Sequence, residues 1–495
     1  MSPTPTPPEV DTRSGRVSGV WRDGSAAFLG IPFAEPPVGA LRFAAPVPHR
    51  GWEGVRDATA YGATPQRVPM AEVTAIPEPS IPGESTLNVN VFTPAPGDEA
   101  ARLPVLVYIH GGGFTAGSPA SPWYDGSAFN RDGVVTVSVS YRLGFDGFGW
   151  IADAPANRGV LDWLLALEWV RDSIAAFGGD PADVTIAGQS AGGGAVLTLL
   201  GMPRAQPLFR RALSISGATA DLPAAESEAL GRRVAALAGV EPTRAGLSAL
   251  DEETLLGLQA RALVPDGAGA DPLASLAQLA TTGMGWGPVV DGELVPHSAA
   301  DAVRAGIGAD KPLVLGATDH EFNAALTAHG AALAAVPAAG ILGTFGVPAE
   351  TIAAYVGAHP GAGTAELVGQ YVTDRLFRAP AIDIALSRAS AQAPTWLYRF
   401  AWRSPATGSA SHCLDVPFWF DGLGLDAVAA LAGGNPPQAL ADDMHGAAVA
   451  FIRGGEPGWP AFDASTRTAR VFDTPSRIEE DAFADAAVLL PAPVA

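Results

Sequence analysis

The chain has 495 residues, enough for one to three domains, and 48% hydrophobic against 16% charged residues gives it the material for a large buried core. Its 58 glycines and 44 prolines make up about a fifth of the chain, short of low-complexity composition, so disorder over most of its length is excluded. With 30 basic and 51 acidic residues the formal charge is −21, which repels phosphate backbones and anionic lipid and argues against nucleic-acid and membrane-surface roles.

The N-terminal stretch Met1 to Val10 reads as a flexible tail, and residues 11–495 as a single α/β domain. The tail has neither a basic start nor an apolar run, so no secretory signal is expected and the cytoplasm is the default compartment. Short β-branched runs ending in Gly-rich turns and followed by helical patterns predict a mostly parallel, doubly wound sheet. In chain order the strands fall at Val105 to Ile109, Val134 to Tyr141, Val184 to Ala187, Ala212 to Ile215, Leu313 to Leu315 and Trp396 to Phe400. Between the second and third, Leu161, Leu164, Leu167, Val170, Ile174 and Phe177 recur every three to four residues, as on an amphipathic crossover helix. Two Ala- and Leu-rich stretches, about 220–281 and 323–393, predict helical insertions beside the sheet. The window Ala331 to Val347 is broken by Pro337 and makes a poor membrane span. The single cysteine, Cys413, allows neither an intramolecular disulfide nor a thiolate metal cluster.

Two segments carry chemistry. The run Leu103 to Ile109 ends in His110-Gly111-Gly112-Gly113-Phe114, where consecutive glycines let main-chain N–H groups approach a ligand without a Cβ in the way. The run Val184 to Ala187 ends in Gly188-Gln189-Ser190-Ala191-Gly192 and leads into a helical pattern. This is G-x-S-x-G between strand and helix, where the serine takes strained angles and Gly188 and Gly192 let the chain pass closely. Ser190 is thus the candidate nucleophile, with the N–H groups of Gly112, Gly113 and Ala191 as oxyanion donors. Taken alone, the glycine run also suits a phosphate-binding loop, but no Lys follows either Gly cluster as a P-loop needs.

With these motifs the chain resembles the type-B carboxylesterase family of the α/β-hydrolase fold, which includes cholinesterases and bacterial p-nitrobenzyl-type esterases. The likeness extends over nearly the whole chain, from Phe28 to Gly39 through Leu87 to Val91, His110 to Phe114, Ala176 to Pro181 and Gly287 to Gly292, to Phe472-Asp473. The resemblance implies Ser190 as nucleophile, Glu321 as the acid and His412 as the base, with Ser216 as a residue supporting them. Asp319 is the competing carboxylate. The order Ser, acid, His along the chain agrees, and of the histidines beyond Glu321 only His412 falls outside a helical pattern, unlike His329, His359 and His445. Phe114, Trp286 and Phe322 are candidates for the substrate pocket, Phe322 standing where relatives often have glycine. Thr64 and Thr86 occupy positions where many relatives carry a cysteine pair, which suits a reducing compartment.

The implied activity is hydrolysis of short to medium acyl or aryl esters through an acyl-enzyme, with kcat/KM rising through a pKa of about 6 to 7. No metal or organic cofactor is called for, and the partner is a small-molecule ester. Carbamate, amide or thioester hydrolysis is the alternative, and a catalytically inactive binding protein of the same fold is a further one. Oligomeric state is open between monomer and dimer.

Overall fold

The computed structural model describes residues 6–490 except 23, 66–67, 70–73 and 265–271. Its centre is an 11-stranded sheet. Seven neighbouring strands run parallel, in the spatial order Val135–Val139, Leu103–Ile109, Gly179–Gln189, Arg211–Ile215, Leu313–Thr318, Thr395–Phe400 and Ala469–Phe472. Antiparallel strands extend both edges, Asn88–Thr93, Ser25–Pro32 and Val20–Arg22 on one side and Arg477–Glu479 on the other. The central strands are buried at nearly every position because helices cover both faces, so their sequences read as continuous apolar runs instead of alternating ones.

The crossover helix spans Arg158–Ser173 and tightens into a 3-10 turn, Ile174–Phe177, which returns the chain to the sheet. Val160, Trp163, Leu164, Leu167 and Val170 bury the face that meets the sheet, where each large side chain contributes about 1.5–3 kcal/mol. Asp162 on the same helix is fully buried and is compensated by Arg142, whose guanidinium donates to both carboxylate oxygens at 2.7 and 2.9 Å.

Both expected insertions are helical. The first comprises Ala224–Ala238, Arg244–Ser248, Glu252–Leu263 and Pro272–Thr282. The second runs through Asn323–His329, Gly330–Leu333, Ala338–Thr344, Ala349–Ala358 and Thr364–Thr373, then a π-turn at Asp374–Arg378, to the helix Ala379–Ser387. No described helix is long and apolar enough to cross a membrane.

The N-terminal tail is shorter than the composition suggests. Glu9 and Val10 belong to the strand Glu9–Thr12, which pairs antiparallel with Gly15–Ser18, and Val10 is buried. One valine directed at the core outweighs the surrounding prolines. Residues 1–5 lie outside the described part of the chain.

Candidate active site

Four loops leave the C-terminal edge of the parallel strands, two on either side of Arg211–Ile215, where an open α/β sheet gathers its ligand-binding loops. Ser190 follows the strand Gly179–Gln189 and begins the helix Ala191–Leu200. Its backbone sits at φ 59° and ψ −124°, a conformation that side chains other than glycine rarely adopt. The turn tolerates no bulk, since a Cβ on Gly192 would lie 2.0 Å from the carbonyl oxygen of Ile109, and one on Gly188 2.4 Å from that of Gly192. The strained serine is held from both sides, its N–H donating to the Ile215 carbonyl at 2.9 Å and its carbonyl accepting from Gly194 N–H at 2.9 Å.

The glycine run lies beside it because Ile109 and Gly188 are register partners in the sheet. His110 fixes the start of this loop. Burial lowers its pKa to about 4, so the ring is neutral, its Nδ1 pairs with the Gly111 carbonyl at 2.8 Å and it stacks on Tyr141 at 4.6 Å. Gly112 has φ 112°, and a Cβ there would collide with the Ala116 carbonyl at 2.1 Å. Among the described residues the N–H groups of Gly112 and Gly113 meet no protein acceptor, which leaves them for a ligand oxygen.

Glu321 follows the strand Leu313–Thr318, and His412 lies in the loop beyond Thr395–Phe400. The three side chains form one hydrogen-bonded line. Ser190 Oγ is 2.9 Å from His412 Nε2, while His412 Nδ1 meets Glu321 Oε2 in a short contact. The other Glu321 oxygen accepts from Thr318 N–H at 2.8 Å. Burial opposes charge on His412, but the Cys413 side chain and the Glu321 carboxylate outweigh it, so its pKa is raised well above the ordinary 6.5. Such a line can take a proton from Ser190 and return it to a leaving group.

These side chains open into a cavity of about 200 Å³ lined by Gly111, Gly112, Ser190 and His412, with Ile76, Glu78, Tyr124 and Cys413 among its other walls. Larger hollows of about 390 and 420 Å³ elsewhere do not reach the serine, so the smaller one is where chemistry and space coincide.

Several expected residues stand elsewhere. Asp319 does not reach His412; both its oxygens accept from Arg399, at 2.5 and 3.0 Å, and that guanidinium holds its pKa low against burial. Phe114 is fully buried in the sheet core, with its ring 5.5 Å from Phe148 and 6.2 Å from Trp163, so it is not a pocket residue. Trp286 is likewise core, 5.8 Å from Phe145 among the helices of the first insertion. Phe322 does lie at the site, its ring 5.8 Å from that of His412 and stacked on Phe377 at 5.7 Å. Ser216 directly follows the neighbouring strand Arg211–Ile215 with φ 44° and donates its N–H to the Gly316 carbonyl, but among the described residues its buried hydroxyl bonds to no protein atom, so it does not support Glu321 through a side-chain bond. His359 sits by Asp374 and Asp485, and His445 between the Trp419 carbonyl and Asp132.

Sequence reasoning missed three neighbours. Gln189 places its Nε2 3.3 Å from His412 Nε2, and its position directly before Ser190 was a usable signal. Asp415, three residues after His412, is buried beside Glu321 and its pKa is raised to about 7 by burial and by that carboxylate. Phe377, 5.2 Å from His412, comes from the π-turn, and nothing local in the sequence marks it.

A family model described as the carboxylesterase family matches residues 6–337. The chain is 34% identical to the para-nitrobenzyl esterase of Bacillus subtilis strain 168, over 95% of this chain and 96% of that protein. It is 32% identical to the phenmedipham hydrolase of Pseudarthrobacter oxydans, over 93% and 94% of the two chains. Among solved structures, a carboxylesterase from Geobacillus stearothermophilus crystallised at pH 6.2 superposes with a TM-score of 0.83 at 33% identity, covering 97% of this chain and 99% of that one.

Proposed function

Because the chain belongs to the carboxylesterase family, whose members hydrolyse carboxylic esters, we propose that Ser190 is the nucleophile of this reaction, His412 its general base and Glu321 the carboxylate that orients the base. The observation that carries this reading is the continuous line from Ser190 Oγ through His412 to Glu321, beside the unpartnered N–H groups of Gly112 and Gly113. His412 Nε2 takes the serine proton as Oγ attacks the ester carbonyl. The N–H groups of Gly112, Gly113 and Ala191 hold the tetrahedral oxyanion, and the helix starting at Ala191 turns its positive end toward the same charge. His412 then protonates the departing alkoxide, and water repeats the sequence on the acyl-enzyme.

A cavity of about 200 Å³ suits short to medium acyl or aryl esters. We read the chain from Glu9 onward as one catalytic unit. A cytoplasmic setting fits the loop where relatives carry a cysteine pair, since here Thr64 closes it without a covalent bond, its hydroxyl accepting from Ile81 N–H at 3.0 Å.

The test is hydrolysis of p-nitrophenyl butyrate by wild type and Ser190→Ala, with intact-mass detection of an organophosphate adduct. Wild type turns over and gains one adduct per chain, while the variant loses about 10⁴-fold or more in kcat and gains none. Turnover by folded Ser190→Ala within tenfold of wild type would sink the assignment. The base must be neutral to act, and its pKa is raised, so kcat/KM rises with pH through a value above 6.5 instead of the ordinary histidine range. A kcat/KM that stays flat from acid to alkaline pH would remove His412 from the role.

A further inference from the structure

The strand Leu313–Thr318 pairs in parallel with Thr395–Phe400 as far as Thr318 opposite Phe400, and the Asp319 N–H still donates to the Phe400 carbonyl at 3.0 Å. There the partner strand leaves the sheet for a loop and returns at Ser411, which forms a parallel bridge with His320. The next residue on each side of that bridge is a member of the hydrogen-bonded line, Glu321 on one and His412 on the other. The bridge therefore sets the register in which acid and base meet.

His320 closes it twice. Its backbone N–H donates to the Ala410 carbonyl at 3.0 Å, and its ring Nδ1 lies 3.2 Å from the Ala410 N–H. The second contact is a hydrogen bond only while Nδ1 is bare, because a protonated ring offers Ala410 a donor against a donor. We propose that His320 is a positioning residue, its neutral imidazole locking the His412 loop to the Glu321 loop so that the acid–base pair stays in register. This rests on the roles given above to Ser190, Glu321 and His412.

The surroundings keep the ring neutral. Burial lowers its pKa; Asp319 opposes that, and Arg403, Arg378 and Arg399 add to it. Arg403 lies 3.1 Å from the other ring nitrogen, which carries the ring's single proton while Nδ1 accepts from Ala410, so this contact is an approach of positive charge and not a second hydrogen bond. Glu366 lines with both a hollow that Ser190 does not reach. Asp319 is itself neutralised by Arg399. Because the locked state binds fewer protons than the open one, the lock is at full strength above the ordinary histidine pKa of about 6.5 and weakens as pH falls below it.

The test compares wild type, His320→Ala and His320→Asn on p-nitrophenyl butyrate between pH 5 and 9, with melting temperatures alongside. Asparagine keeps an acceptor for Ala410 and cannot titrate. The alanine variant should lose about tenfold in kcat with KM within twofold, a loss that small misplacement of a base produces. The asparagine variant should recover most of it, and its acid limb should lack the extra steepening of the wild type. An alanine kcat within twofold of wild type, an asparagine variant no better than alanine, or superimposable acid limbs in wild type and His320→Asn would overturn the proposal. If His320→Ala does not fold, the pH profile of His320→Asn decides alone. A wild type without Ser190-dependent turnover would instead strike at the nucleophile, which separates the two failures.

Discussion

The site has two halves built by different means. On one side Ser190 and the glycine run are fixed chiefly by backbone, with the His110 ring at the start of the run, in two adjoining turns where carbonyl oxygens stand 2.0 to 2.4 Å from where a Cβ on Gly192, Gly112 or Gly188 would be. On the other side Glu321 and His412 come from loops separated by 91 residues and are held by side-chain bonds and one isolated bridge. Sterics makes the first half rigid and intolerant of change. The second half is held by interactions of about 1 kcal/mol each, so it can be loosened by degrees.

The sharpest way to break this contrast is Gly192→Ala. The added methyl has no flexible side chain to displace, only the Ile109 carbonyl, so the strand that positions the glycine run must shift. We expect a loss of about 10³-fold or more in kcat, or failure to accumulate soluble protein, read by turnover and circular dichroism on the soluble fraction. A folded variant within tenfold of wild type would mean that the nucleophile side is as adjustable as the acid–base side.

On the softer side the carboxylates are separable. Glu321→Gln keeps the shape but removes the charge that supports the imidazolium, and should lower kcat by about 10² to 10⁴ with little change in KM. Asp319→Asn takes from Arg399 its hydrogen-bonded ionic partner, leaving Glu479 at 3.8 Å, and should cost about 1–3 kcal/mol of stability, seen as a lower melting temperature, while kcat falls less than tenfold. A reversed order of the two effects on kcat would return the acid role to Asp319.

The same division explains what could be read from the residues. Ser190, Ala191, Gly112 and Gly113 were legible because a turn without room for side chains must be written in consecutive small residues. The parallel strands were legible because burial on both faces demands apolar runs. Choosing Glu321 over Asp319 took the family likeness, since the discriminating partner, Arg399, lies on the next strand and leaves no local trace. The π-turn at Asp374–Arg378 was hidden for a related reason, as in sequence it merely continues a helix.

Aromatic residues near the motifs mark the limit of that legibility, because an aromatic beside a functional turn serves core and pocket equally well. Phe114, Trp286 and Phe322 looked alike, yet only Phe322 reaches the His412 ring. Replacing Phe322 by Leu should therefore change kcat a few-fold and alter the ratio of activities on acetyl and butyryl esters, because the ring stacks with Phe377 against the base. Trp286→Phe removes volume from the buried cluster around Phe145 and should cost about 1–3 kcal/mol in unfolding free energy while leaving that ratio unchanged. If selectivity followed Trp286 and not Phe322, the acyl group would extend toward the first insertion, and the soft half of the site would include a wall that the present geometry assigns to the core.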